Sequence, residues 1–90
     1  MIELGANIKL IGFEDLQPAQ LIVVKKMVGN YAKKINDTKG AFSELALEKE
    51  QENQLKVKCI MNEKTYQASD TNKNLFFALD KALSTLIKQL

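Results

Sequence analysis

From residue 74 to residue 90 the chain reads NLFFALDKALSTLIKQL, without Gly or Pro, and its hydrophobic positions recur at helical spacing. At about 100° per residue, Leu75, Leu79, Ala82, Leu83, Leu86 and Leu90 share one broad stripe, bordered by Phe76 and Ile87. Lys81 and Lys88, one heptad apart, stand on the opposite side. Asp70, Thr71 or Asn72 suits the cap, since their side-chain oxygens accept orphan N–H groups of a first turn. A second helical pattern runs from residue 18 to about 35, with Leu21, Val24, Val28, Tyr31 and Ile35 at intervals of three and four. Asp15 or Gln17 followed by Pro18 marks its start, because the first helical position makes no use of the N–H that Pro lacks. Val23 and Val24 lower the helix propensity and Gly29 costs about 1 kcal/mol against Ala. Tertiary packing has to hold this helix, and the turn residues 36–40 (NDTKG) end it.

Elsewhere the period falls to two. Residues 8–13 (IKLIGF) read as a first strand with Gly12 at its exit. Residues 42–49 place Leu45 and Leu47 on one face, and Glu44, Ala46 and Glu48 on the other. Residues 55–61 set Leu55, Val57, Cys59 and Met61 against Lys56, Lys58 and Ile60. A polar hairpin loop at 50–54, a tight turn at 62–64 and a short fourth strand at 65–69 complete the pattern. Glu44 and Glu48 are expected across from Lys56 and Lys58, each pair worth roughly a few tenths of a kcal/mol. The order β-α-β-β-β-α predicts an α+β two-layer sandwich, a four-stranded sheet with two helices packed on one face. Ninety residues make this a single domain, 1–90, with one compact core.

Composition removes several kinds of chemistry. The chain has no histidine and one cysteine, which excludes zinc sites of the usual His and Cys spacing. Ser43, Ser69 and Ser84 have no histidine to activate them. Glu14 and Asp15 read as acids favoured at a helix start in preference to an acid–base pair. No catalytic residue, metal, cofactor or small-molecule substrate is expected, and the chain reads as no enzyme. No apolar run nears the roughly 18 residues that span a membrane, and the opening MIELGAN has no signal-peptide character. Cys59 reads as a buried thiol. The expected location is cytoplasmic, with no membrane partner.

The lysines are the better candidates. There are 13, no arginine, and a net charge of +2, so phosphate contacts would use point charges and no guanidinium fork. Lys25, Lys26, Lys33 and Lys34 cluster on the first helix, and Lys73, Lys81 and Lys88 on the second. With the helices side by side, both clusters share the outer surface of the helical layer. Lysines so placed neutralise phosphates by counterion release. The plainer reading is the wet face of any amphipathic helix. Phe77 falls with Lys81 and Lys88, away from the leucines. It either stacks on an unpaired base, touches a protein partner, or tucks against a loop or the neighbouring helix. Tyr31 and Tyr66 read as core aromatics with a wet hydroxyl.

The run ASDTNKNLFFALDKALSTLIKQL resembles the end of the ribosome hibernation-promoting factor family, the ribosome-associated translation inhibitors. In that family a last strand ends in Ala, here Ala68. A helix then carries a hydrophobic residue, an aromatic, two small residues, an aliphatic and Asp, and closes on Gln-Leu. The corresponding residues here are Leu75, Phe76, Phe77, Ala78, Leu79 and Asp80, then Gln89 and Leu90. The family's opening, a strand ending in Gly and a helical leucine about nine residues on, is matched by Gly12 and Leu21, and the element order agrees. The chain departs from the family in having Phe77 at a usually small position, Thr85 for a frequent Lys and Lys88 for an Arg. It also has Pro18 in place of the Thr cap and no basic tail or dimerising extension after Leu90. The resemblance implies a short-form factor that binds the decoding channel of the small ribosomal subunit and inhibits translation during dormancy or stress. Ribosomal RNA would be held by Lys25, Lys26, Lys33, Lys34, Lys73, Lys81 and Lys88. A small α+β protein–protein interaction module without RNA binding is the alternative expectation.

Overall fold

The computed structural model describes residues 1–5 and 7–90 (for Glu52, the backbone alone). Its elements are β1 (Ile2–Glu3), β2 (Ile8–Ile11), α1 (Pro18–Thr38), β3 (Glu44–Lys49), β4 (Gln54–Met61), β5 (Lys64–Thr71) and α2 (Leu75–Gln89). The architecture is α+β, and the sheet has five strands in the order β1-β2-β3-β4-β5, not the four read from the sequence. The added strand is a two-residue segment pairing Ile2 with Leu10 and Glu3 with Lys9. It is too short to carry a period, so only its pairing with β2 defines it. β2 and β3 run parallel across the α1 connection, and every other pair is antiparallel.

The register puts Leu10, Leu45, Leu47, Leu55, Val57, Cys59 and Met61 on one face of the sheet, all buried. Val24, Val28, Ala32 and Ile35 of α1 and Leu75, Ala78, Leu79, Ala82, Leu83 and Leu86 of α2 close the same core. α2 lies against β4 and β5. Burial raises the Cys59 thiol above its ordinary pKa.

Helix ends differ from expectation in informative ways. Asn74, not Asp70, Thr71 or Asn72, caps α2, its Oδ1 accepting from the backbone N–H groups of Phe76 (2.9 Å) and Phe77 (3.3 Å). Such a cap contributes about 1 kcal/mol. Asn72 acts one step earlier, accepting from the N–H of Asn74 at 2.9 Å. At α1, Gln17 is the N-cap residue and its N–H donates to Gln20 Oε1 at 3.2 Å, with Pro18 opening the helix. Glu14 and Asp15 lie ahead of the helix, outside its first turn. Glu14 instead accepts from the Phe13 N–H (3.0 Å) and pairs with the Met1 amine (2.9 Å), which holds its carboxyl below the ordinary range.

The other sheet face is charged. Glu44 lies 2.9 Å from Lys9 and 3.8 Å from Lys58, while Lys56 pairs with Glu50 at 3.0 Å. Of the expected cross-strand pairs, Glu44–Lys58 forms on the diagonal. Glu48 faces Lys56 in the register, but the Lys56 amine turns to Glu50. The nearer partner of Glu44 is Lys9, brought alongside by the parallel β2–β3 pairing. The hydrogen bond between them lowers the Glu44 pKa and raises that of Lys9.

Candidate functional site

Opposite this face, the outer surface of the helical layer collects charge of one sign. α1 carries four lysines and one acid, and α2 two lysines and one acid. The helices meet through Tyr31, whose hydroxyl donates to Asp80 Oδ1 at 2.5 Å. Asp80 is thereby spent on a helix–helix contact, as an exposed acid bonded to a neighbour. Partial burial and this carboxylate push the Tyr31 pKa up to about 12.

That shift has a testable consequence. In the unfolded chain Tyr31 would lose its proton near pH 10, whereas the folded chain holds it to about 12. Its contribution to stability is complete below the unfolded value and disappears as pH rises through the folded one. Tyr31→Phe should therefore show a shallower loss of stability above pH 10 than the parent in thermal melts. Equal slopes for the two proteins would remove Tyr31 as the source.

Lys25, Lys26, Lys33, Lys34, Lys73, Lys81 and Lys88 are all exposed. Among the described residues none of the seven makes an ion pair within 4.0 Å, whereas Lys9, Lys56 and Lys58 of the sheet face do. The difference follows from the fold. Acids alternate with lysines on adjacent strands, but the helices offer their lysines only Asp37 and the Tyr31-bound Asp80. Among the described residues the molecule thus has one face of paired charge and one whose lysines make no ion pair, despite a net charge of only +2.

Phe77 is 66% exposed and does not tuck beneath a loop. It borders a shallow notch with Asp70, Thr71, Asn72, Asp80 and Lys81 at the start of α2. Lys81 lines the same notch, and Lys73 lies four residues ahead of Phe77 in sequence, before the start of α2. Tyr66 is half-buried against the core. Two apolar residues on the same layer escape the sequence reading: Ile22, 67% exposed, and Val23. The signal was present in the run LIVV at 21–24, four consecutive apolar residues that a helix cannot all turn inward.

Among the described residues no group of three His, Cys, Asp or Glu side chains is placed to hold a metal ion. No helix is long and apolar enough to cross a membrane. The open sheet face has a concavity of about 390 Å³ lined by Ile11, Ala46, Glu48, Lys56, Lys58 and Gln67, and its two lysines are paired with Glu50 and Glu44. The chain matches no family model, and no curated protein is significantly similar to it.

Proposed function

We propose that this chain is a ribosome-associated factor that binds the decoding channel of the small subunit and inhibits translation during dormancy or stress. The observation that carries the reading is a set of seven exposed lysines, on the two helices and the turn before α2, that make no ion pair among the described residues, on a molecule whose open-face lysines Lys9, Lys56 and Lys58 are paired. A cation already bound to a carboxylate gains little from a phosphate, whereas a free one releases condensed counterions on contact. Ribosomal RNA is the polyanion that the resemblance at residues 68–90 suggests. The mechanism is steric occlusion without a chemical step, in the cytoplasm, and Phe77 supplies a stacking surface for an unpaired base. Lacking arginine, the surface positions itself on backbone phosphates and reads little sequence.

Phe77, Ile22 and Val23 favour a second reading, docking of a protein partner on the helical layer. Salt separates the two. Co-sedimentation with ribosomes and isolated small subunits should show binding to the small subunit that weakens steeply from low to moderate salt. Binding indifferent to salt and lost in Phe77→Ala would favour the protein partner. No binding at any salt would end the ribosome reading.

A further inference from the structure

The two edges of the sheet are unequal. β1 is two residues long, while β5 is eight and forms the opposite edge. Asn62 and Glu63 both have positive φ in a two-residue loop, the geometry of a tight hairpin turn. In such a hairpin Met61 and Lys64 form the first hydrogen-bonded pair, so Lys64, Tyr66, Ala68 and Asp70 direct their backbone groups to β4. Those of Thr65, Gln67, Ser69 and Thr71 point away from the sheet. One observation confirms this polarity: Gln89 Nε2, from the end of α2, donates to the Gln67 carbonyl at 2.7 Å. Edges are ordinarily blunted by proline, bulges or mid-strand charge, and residues 65–69 (TYQAS) contain none of these.

We propose that β5 pairs with β5 of a second copy of this chain, antiparallel about a two-fold axis at Gln67. The strand is self-complementary in this register. Gln67 meets Gln67, and Thr65 meets Ser69, all with outward-directed backbone groups, as hydrogen-bonded pairs require. On the helix-covered face Tyr66 meets Ala68, both half-buried at the edge of the core and further covered by the pairing. Lys64 meets Asp70 twice by symmetry, and among the described residues neither makes an ion pair within 4.0 Å in the monomer. A one-residue shift would turn outward backbone groups toward inward ones. A two-residue shift would lose the charge pairing. Directly opposed residues share a face, so both helical layers fall on the same side of a ten-stranded sheet. In the monomer Gln89 occupies the central carbonyl, and in the dimer the partner's Gln67 N–H replaces it. The pairing stands or falls independently of the ribosome reading.

Sedimentation velocity over a concentration series of the full chain tests it. The parent should shift toward the dimer with concentration, and Gln89→Ala should shift at lower concentration because the competing donor is gone. Ser69→Pro removes an outward N–H that the β4 ladder does not use, a position where an edge strand tolerates proline. It should remain monomeric. Lys64→Asp should weaken the dimer several-fold, and Lys64→Asp combined with Asp70→Lys should restore it, whether or not the proline variant folds. A parent and Gln89→Ala both monomeric throughout would overturn the proposal. So would a dimer insensitive to the charge exchange.

Discussion

Gly12→Ala is expected to destabilise the fold by about 2–4 kcal/mol, from two sources that add. Gly12 has φ +81°, the left-handed region where a Cβ costs about 1–2 kcal/mol. A Cβ there would also be driven into the carbonyl oxygen of Lys49, a backbone atom at the end of β3 that cannot swing aside. Relief would have to come from separating β2 from β3. The conformation is needed because strict alternation after Leu10 and Ile11 would send Phe13 to the open face. The turn at Gly12 breaks the alternation, and Phe13 is fully buried. For a domain of this size the loss corresponds to roughly 10–25 °C in Tm. Gly29→Ala is the control, since a Cβ there meets nothing within 4 Å inside α1. It should stabilise by up to about 1 kcal/mol. Thermal and urea denaturation of both variants would read the difference, and equal effects would refute the close-approach argument.

The same glycine shows how far the sequence could be read. The strand predicted at 8–13 stops at Ile11, because the left-handed turn is imposed by a neighbour 37 positions away in the chain. α1 and α2 were legible because their stripes are wide and uninterrupted, although α1 runs three residues past the predicted end at Ile35. β4 was legible because Leu55, Val57, Cys59 and Met61 alternate without exception and are all buried. β1 carries no pattern of its own. At the site, helical angle placed Lys26, Lys33, Lys34, Lys81, Lys88 and Phe77 on the wet side and Lys25 at the border of the stripe, and all are exposed. Lys73, counted with the second helix, precedes the Asn74 cap and lies outside α2, also exposed. The lysines' lack of ion pairs among the described residues was not legible, since it depends in part on Asp80 being held by Tyr31, 49 positions away. Nor was the capture of Glu44 by Lys9, which arises from parallel pairing across the α1 connection.

On the proposed ribosome-binding reading, changing Lys25, Lys26, Lys33 and Lys34 together to Glu is expected to weaken small-subunit binding by at least about a hundredfold at low salt. Each lysine seated on a phosphate adds roughly 0.7–0.9 to the slope of log affinity against log salt. Four of them account for about 50- to 150-fold between 50 and 200 mM salt, and the introduced carboxylates add repulsion. The salt slope of what remains should fall by about 3. Location, not net charge, is the point at issue. Lys25→Gln with Lys33→Gln should therefore weaken binding far more than Lys56→Gln with Lys58→Gln, although both pairs remove the same charge. Lys56 and Lys58 already contact Glu50 and Glu44 on the opposite face of the molecule. Since the four α1 lysines make no ion pair among the described residues, their replacement should leave the melting temperature nearly unchanged. Lost binding with an intact fold would locate the interface on the helical layer. Equal losses from the two double variants would mean a diffuse electrostatic attraction, and the lysine surface would then have no special claim.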